Sequence, residues 1–296
     1  MNCVRYQGTL SSWQRMKAGV PQGTLLGPLI FLSLIDDALR DQPVRRWKYV
    51  DDMSIADNYR APEHISRDLL DSLQTLENWC NDNYVKLNPK KCSVLQISFS
   101  KVRVPDPEIS LCGQKLNLSK NTKILGVIVQ DDLKWDLQVT SMVSRANRRI
   151  FMLRTLKTFK IGINDLLTVY SSYVRPLLEY ACPVWHSALT QYQRNQIERV
   201  QKRSLRIILS YQYLSYSQAL ELTGLQSLEE RRQYLCLEFA RKVFKSSTPK
   251  QWFLPANPIR SLRNNRSCLE PKCKTERYRN SPIPYLSRLL NEHGPN

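Results

Sequence analysis

Two adjacent carboxylates, Asp51 and Asp52, are the side chains of this sequence best placed to do chemistry. They stand between two short runs of strand-forming residues, 47–50 and 53–56, and this pattern predicts a β-hairpin with both carboxylates at its tip. Because charges beside buried apolar residues are costly, a cation or hydrogen bonds must compensate them. Oxygen ligands at a tight turn suit Mg²⁺ better than zinc. The same pattern also fits a solvated turn, so the neighbouring motifs must decide.

A loop and a helix precede the hairpin. Residues 19–28 read Gly-Val-Pro-Gln-Gly-Thr-Leu-Leu-Gly-Pro, and their glycines and prolines leave the backbone open to a large ligand. An ordinary strand-to-helix connection would have the same composition. The helix predicted over residues 25–40 is apolar on nearly every side up to Asp36, which indicates packing beneath a sheet.

The loop, the helix and the hairpin follow one another within about forty residues. In this order they resemble the palm of reverse transcriptases, in particular those of non-LTR (LINE-type) retrotransposons. The resemblance implies that the hairpin aspartates bind catalytic Mg²⁺, with two ions in the intact family. It also implies contacts to the template and the incoming nucleotide from the loop and the strand before the aspartates, through Gly19, Pro21, Gln22, Gly23 and Tyr49.

Two later motifs extend the resemblance. The Asn-Pro-Lys-Lys sequence at 88–91 resembles a palm motif whose lysine is proposed to protonate the pyrophosphate leaving group, which implies that role for Lys91. An exposed turn also commonly carries such a lysine. Residues 123–129 resemble the hairpin that grips the primer end, with Leu125 and Gly126 at its turn. A plain edge hairpin would give the same pattern.

Positive charge is concentrated in the second half of the chain. The net charge is +18, and residues 131–296 contribute +14 of it, with 27 Lys and Arg against 13 Asp and Glu. Such a surface indicates a polyanionic partner, most simply nucleic acid. From about Thr140 the chain is predicted to be helical, because Val143, Ala146, Ile150 and Leu153 recur at helical spacing. Arg145, Arg148 and Arg149 fall together on another face. We expect these arginines to contact a phosphate backbone, as in a polymerase thumb.

We therefore expect an α+β fold in three parts. Residues 1–136 form an incomplete reverse transcriptase palm, an antiparallel sheet with helices on one face. Residues 137–246 form a helical thumb and post-thumb region, and residues 247–296 form a basic, Pro-rich extended tail. Further helices are predicted over 62–82, 164–178, 191–209, 228–245 and, as one short helix in the tail, 285–291. The helix over 228–245 begins with a capping box formed by Ser227 and Glu230.

The expected reaction needs metal-binding carboxylates, because two divalent ions align the groups in nucleotidyl transfer. The resemblance implies a third aspartate upstream of Gly19, yet residues 1–18 contain no Asp or Glu. We therefore expect an N-terminally truncated fragment of an RNA-directed DNA polymerase, with little or no activity alone. Its partners would be an RNA template, a DNA primer and deoxynucleoside triphosphates. The alternatives are a non-catalytic nucleic-acid-binding protein that uses the basic half, and a transposon remnant with no selected role.

The sequence composition also bears on the cellular location of the protein, the state of its cysteines and its solubility. No secretory signal precedes the motifs, and the apolar run at 25–35 is too short to span a bilayer. Eight scattered cysteines favour reduced thiols, and the Cys268 and Cys273 pair lacks partners for zinc apart from His293. We expect an intracellular protein, nuclear or cytoplasmic, without a membrane segment and of open oligomeric state. We also expect the apolar helix to be partly uncovered and the isolated chain to be poorly soluble.

Overall fold

The computed structural model describes residues 3–15, 24–58, 66–100, 106–246, 252–253 and 268–294. The chain divides into two compact units, residues 1–122 and 123–296. Short two-stranded sheets and two helices make up the described part of the first unit, and helices dominate the second. This mixture is that of an α+β protein, as the sequence predicts.

The first unit contains short strands and two helices. In chain order they are β1 (Arg5–Tyr6), β2 (Thr9–Leu10), α1 (Leu26–Ile35), β3 (Arg45–Tyr49), β4 (Asp52–Ala56), α2 (Arg67–Asp82), β5 (Ser93–Val94), β6 (Ser110–Leu111), β7 (Gln114–Lys115) and β8 (Asn117–Leu118). The pairs β1–β2, β3–β4 and β6–β7 are antiparallel, and β5–β8 is parallel.

The described strands of this unit form separate pairs, so the continuous antiparallel palm sheet expected from the sequence is not seen among them. The physical reason is strand length. Most of these strands have two residues and make too few ladder hydrogen bonds to extend a sheet, and only β3–β4 pairs over five positions.

Helix α2 covers one face of the β3–β4 hairpin, as its amphipathic spacing predicts. Leu76 and Cys80 of the helix are buried together with Leu39, and Met53 and Ile55 of β4 pack against them. The side-chain oxygen of Ser66 caps the helix by accepting a hydrogen bond from the Leu69 amide at 3.4 Å. The hairpin therefore has one packed face and one open face.

Helix α1 is shorter and more exposed than predicted. It ends at Ile35 rather than near residue 40, and only Gly27 and Ile35 are buried. Leu26, Leu29 and Ile30 are 64%, 61% and 50% exposed. The predicted packing of this helix beneath a sheet is not seen among the described residues, because the strands there form separate short pairs. The expectation of a partly uncovered apolar helix is confirmed.

The second unit begins within a hairpin of β9 (Asn121–Ile124) and β10 (Val127–Gln130). Its helices are α3 (Asp136–Thr158), α4 (Ile163–Val169), α5 (Arg175–Glu179), α6 (Cys182–Trp185), α7 (Gln191–Leu209), α8 (Tyr216–Thr223), α9 (Leu228–Lys245), α10 (Glu276–Arg279) and α11 (Pro282–His293). A π-helical turn, Tyr170–Val174, joins α4 to α5. Helices α7 and α9 have the predicted bounds, and the Ser227–Glu230 capping box is present.

Part of the predicted tail is folded, so its description as an extended segment is wrong for residues 268–294. Helix α11 packs against α9, and Leu286, Leu289 and Leu290 are at most 2% exposed. Cys268 is also buried, and its amide donates to the Asn291 side chain at 3.1 Å. The tail is polar as a whole, but this short segment has apolar residues at helical spacing, and their burial favours a packed helix.

Among the described residues, no helix combines the length and the hydrophobicity that crossing a bilayer requires.

Candidate active site and nucleic-acid interface

The Asp51–Asp52 pair stands at the tip of the β3–β4 hairpin. Tyr49 is the partner of Asp52 in the ladder, so Val50 and Asp51 form a two-residue loop. Val50 adopts φ +54°, which is strained for a β-branched residue because its Cβ crowds the backbone. Strained turns of this kind persist only where surrounding structure holds them, and they concentrate at functional sites.

The two faces of this hairpin have different environments. Side chains alternate along each strand, and the register places Arg45, Trp47 and Tyr49 on the same face as Asp52, Ser54 and Ala56. This face is open, with Trp47 55% and Tyr49 62% exposed. The opposite face carries Met53 and Ile55, which pack against α2. Asp52 therefore shares the open face with two aromatic rings, of which Trp47 was missed in the sequence although its spacing from Tyr49 indicates it.

Basic side chains of the packed face attach the hairpin to the end of α1. The Lys48 ammonium group donates hydrogen bonds to the carbonyl oxygens of Ile35 and Asp36, each at 2.8 Å. The Arg46 guanidinium donates to the Arg40 carbonyl oxygen at 2.7 Å. Burial, together with repulsion from Arg46, lowers the pKa of Lys48. The two Lys48 hydrogen bonds satisfy carbonyls that the end of α1 leaves open, and neither Lys48 nor Arg46 was predicted in this role.

Both aspartates of the pair are exposed, and their carboxylates form no hydrogen bond or ion pair with another described residue. Two aspartates that follow α1 have partners elsewhere: Asp36 pairs with Arg40, and Asp37 accepts a hydrogen bond from the Trp79 indole at 3.1 Å. Mg²⁺ is commonly held by one or two carboxylates, with water and substrate phosphates as its other ligands. The donor chemistry at this tip fits such an ion.

Two other sequence predictions for this site receive less support from the structure. Lys91 ends an exposed turn, Pro89–Lys91, and forms no ion pair with Asp51 or Asp52. Gly19, Pro21, Gln22 and Gly23 lie outside the described residues. Within the described parts of the chain, no three His, Cys, Asp or Glu residues group as metal ligands, and the eight cysteines, all described, form no disulfide.

The β9–β10 hairpin, predicted to grip the primer, is held by a tyrosine of the helical unit. Leu125 and Gly126 form its turn with φ +45° and +86°. The Tyr180 hydroxyl donates to the Leu125 carbonyl oxygen at 2.7 Å, and a Cβ on Gly126 would lie 3.3 Å from the Tyr180 ring. The Gln138 side chain accepts from the Ile128 amide at 3.0 Å. Gly126 thus gives room to Tyr180, a contact the sequence did not reveal.

The three arginines predicted on α3 have different environments. Arg149 stacks on the Tyr173 ring at 4.1 Å and donates to the Tyr173 carbonyl oxygen, so it is tied to the π-helical turn. Arg145 is half-buried, and its Nε atom is buried without a hydrogen-bond partner among the described residues. Arg148 is exposed beside a groove between α3 and α7. The structure thus leaves Arg148 the most available of the three.

Comparisons with known proteins agree with these motifs. Residues 1–129 match the sequence model of the family described as reverse transcriptase (RNA-dependent DNA polymerase). Residues 1–129 are therefore similar to a reverse transcriptase segment. Both the loop and the Asp51–Asp52 hairpin lie inside the match, so the resemblance found in the sequence is confirmed.

Similarity to curated proteins extends beyond this segment. The chain is 27% identical over 276 residues to a probable RNA-directed DNA polymerase from transposon BS of Drosophila melanogaster, covering 88% of the chain and 30% of that protein. It is 24% identical over 215 residues to the RNA-directed DNA polymerase from mobile element jockey of the same species, covering 69% and 23%. The chain thus spans less than a third of the length of these relatives. No solved structure matches it.

Proposed function

We propose that this chain supplies the metal-binding hairpin of an RNA-directed DNA polymerase of the LINE type. The observation that carries the proposal is an exposed Asp51–Asp52 pair on a strained hairpin tip, inside the segment that matches the reverse transcriptase family. The partners that follow are an RNA template, a DNA primer and deoxynucleoside triphosphates.

The reaction is attack of the primer 3′ hydroxyl on the α-phosphate, with pyrophosphate leaving. Two Mg²⁺ ions, when bound, align these groups and neutralise the developing negative charge. Asp51 and Asp52 would hold the ions, and Lys48 would keep the hairpin in place from its packed face. Tyr49 and Trp47 offer flat apolar surface to the nucleotide or template beside Asp52. Lys91 is proposed to protonate the leaving pyrophosphate.

The roles of the remaining candidate residues are proposed from the resemblance to the reverse transcriptase family. Gly19, Pro21, Gln22 and Gly23 would contact the templating base and the incoming nucleotide. Leu125 and Gly126 would meet the primer end, on a hairpin kept in shape by Tyr180. We propose residues 1–136 as palm, 137–246 as thumb and post-thumb region, and residues 247–296 as a basic C-terminal region that includes α10 and α11.

We propose that the chain alone polymerises slowly or not at all. Among the described residues, the pair stands without a third carboxylate, and loss of one electrostatic contributor to a transition state costs on the order of 10² to 10³ in rate. Primer extension on an RNA template with Mg²⁺ tests this, using wild type, Asp51→Asn and the exposed control Asp41→Asn. Rapid primer extension that is lost in Asp51→Asn would contradict the proposal of low activity. Extension that is equal in wild type and Asp51→Asn would contradict the proposed metal site.

A second candidate is a nucleic-acid-binding protein without catalysis. The observation in its favour is the net charge of +14 on residues 131–296. Binding measured across a salt series tests it, because phosphate contacts release counterions and make affinity fall steeply with salt. An affinity that is nearly independent of salt would contradict this candidate.

A further inference from the structure

The turn of the β9–β10 hairpin has a backbone form that its own sequence does not favour. Its two residues, Leu125 and Gly126, adopt φ +45° and +86°. Hairpin turns with two left-handed residues favour asparagine or aspartate before the glycine, because those side chains form local hydrogen bonds that leucine cannot form. The Cβ of leucine also crowds the backbone in this form. Contacts from outside the turn must therefore stabilise it.

The Tyr180 side chain supplies such a contact. Its hydroxyl donates to the Leu125 carbonyl oxygen at 2.7 Å, and its ring lies against Gly126. Tyr180 is 53% exposed, so the contact buries little apolar surface. Because a hydrogen bond is directional, this one fixes the orientation of the peptide group between the two turn residues.

The backbone of Tyr180 is itself held on both sides. Its amide donates to the Pro176 carbonyl oxygen at 3.0 Å, and its carbonyl oxygen accepts from the Trp185 indole at 3.1 Å. Trp185 is fully buried. The next residue, Ala181, adopts φ +52°, a left-handed form that persists for alanine only where surrounding contacts hold it.

Ion pairs fix the residue before Tyr180. The Glu179 side chain is only 12% exposed, and its carboxylate pairs with Arg175 at 3.4 Å and with Arg231 of α9 at 3.3 Å. Solvent and salt screen such half-buried pairs less than surface pairs. The hydroxyl of Tyr180 therefore extends from a fixed point on the helical unit.

The rest of the hairpin is attached to the start of α3. The buried Gln138 side chain accepts from the Ile128 amide at 3.0 Å, and the Gln130 side chain accepts from the Leu137 amide at 3.0 Å. Both attachments lie within β10, beyond the turn. They fix the strand and leave the form of the turn to Tyr180.

We propose that Tyr180 is a positioning residue for the primer terminus. Its hydroxyl selects the left-handed form of the turn, and that form determines where the half-exposed Leu125 side chain meets the primer end. Residues 175–185, which have no role in the proposed polymerase function, are the rigid support that places this hydroxyl. The positioning role rests on the proposed function, because that function puts the primer end at the β9–β10 hairpin.

Hydrogen exchange of the amides of residues 124–128 tests control of the turn. Tyr180→Phe keeps the ring against Gly126 and removes only the hydroxyl, so we expect exchange about twofold to tenfold faster than in wild type. Leu125→Asn/Tyr180→Phe should return towards the wild-type rate, because asparagine before glycine favours the left-handed turn by itself.

Tyr234→Phe is the matched control. Tyr234 lies in the same unit with 49% exposure, and its hydroxyl has no hydrogen-bond partner among the described residues. This variant should exchange as wild type does. Thermal unfolding of each variant checks that the fold is intact.

Fluorescence of a 2-aminopurine base at the 3′ end of a primer, annealed to an RNA template, tests the positioning role. Saturating wild type should change this signal, and Tyr180→Phe should reduce the change by about half or more, because a small displacement alters the contact. The Kd for the primed template should stay within about twofold, since phosphate contacts dominate affinity. A probe base placed well upstream in the primer should respond equally to both proteins.

The outcomes separate this role from the proposed function. Unchanged exchange in Tyr180→Phe, or no recovery in Leu125→Asn/Tyr180→Phe, would overturn control of the turn by Tyr180. Equal responses of the terminal probe to wild type and Tyr180→Phe would overturn the positioning role. A terminal probe that wild type leaves unchanged would contradict the primer contact of the proposed function and the positioning role together, whereas the exchange rates would still show whether Tyr180 holds the turn.

Discussion

At the scale of single residues, the hairpin aspartates and the Gly126 turn show how far side-chain type predicts role. Asp51 and Asp52 stand where alternation and turn chemistry place them, at an open tip. Gly126 was expected at the turn of a hairpin that grips the primer end. In the structure it allows close approach of Tyr180, a residue 54 positions further along the chain. Sequence shows that a glycine is needed but not which neighbour needs it.

Gly126→Ala is the sharpest residue-scale prediction for the second unit. Positive φ strains alanine and its Cβ presses on the Tyr180 ring, so we expect a loss of about 1–2 kcal/mol in the free energy of unfolding. Urea denaturation measures it. Gly224→Ala is the matched control, since Gly224 has φ +65° but nothing within 4 Å of an added Cβ. Equal losses at both positions would show that the contact with Tyr180 contributes nothing.

At the scale of elements, amphipathic spacing predicted helices well and their surroundings less well. Helices α7 and α9 match their predicted bounds, because end signals such as the Ser227 capping box coincide with the apolar stripe. Helix α1 lacks the sheet that was expected to pack on it, although its partial exposure was predicted, and α11 is buried where an extended tail was expected. Hydrophobicity shows that a surface favours burial, but whether another element covers it depends on tertiary packing that no local pattern contains.

Lys48 is the element-scale link between the β3–β4 hairpin and α1. Lys48→Met keeps the apolar stem but removes two hydrogen bonds to helix-end carbonyls. We expect a loss of about 1–2 kcal/mol and faster hydrogen exchange in the amides of β3 and β4. Lys86→Met, at an exposed position of the same unit, should change neither quantity. Unchanged hydrogen exchange in the β3 and β4 amides of Lys48→Met would show that Lys48 does not stabilise the hairpin.

His186 gives the helical unit a predictable response to pH. It is 3% exposed, its ring packs against Tyr285, and its Nδ1 atom accepts from Arg232 at 3.4 Å. Burial, with repulsion from Arg232 and Arg194, lowers its pKa from 6.5 to about 3. Between these values the unfolded chain binds a proton that the folded chain does not, so stability falls as the pH drops below 6.5.

Urea unfolding at pH 7.5 and 5.5 tests this response. Wild type should lose about 1 kcal/mol more than His186→Gln over this interval, because glutamine does not titrate. Equal losses in the two proteins would mean that His186 is protonated in the fold or that its pKa is ordinary there.

At the scale of the whole molecule, two sequence motifs were enough to predict the family. The order of loop, apolar helix and Asp-Asp hairpin is rarer than any of its parts, and the family match over residues 1–129 agrees with it. The similarity to the transposon BS polymerase extends over 276 residues, well past that segment. The side-by-side course of α3 and α7 could not be foreseen, because it depends on contacts between residues far apart in the chain.

Exposure of α1 predicts self-association of the isolated chain. Leu25, Leu26 and Leu29 are 94%, 64% and 61% exposed, and contiguous apolar surface of this kind drives aggregation. We expect Leu26→Gln/Leu29→Gln to lower light scattering at equal protein concentration. A wild type that is already monodisperse and monomeric would contradict this prediction.

A measurement of metal binding at the β3–β4 hairpin is the direct test of the proposal that Asp51 and Asp52 hold catalytic metal ions. Electron paramagnetic resonance can follow Mn²⁺ bound to the full chain in the presence of a primed RNA template and a deoxynucleoside triphosphate. We predict protein-bound Mn²⁺ that Mg²⁺ displaces, that Asp51→Asn/Asp52→Asn abolishes and that Asp41→Asn leaves intact. Equal Mn²⁺ binding by wild type and by the doubly substituted chain would contradict it.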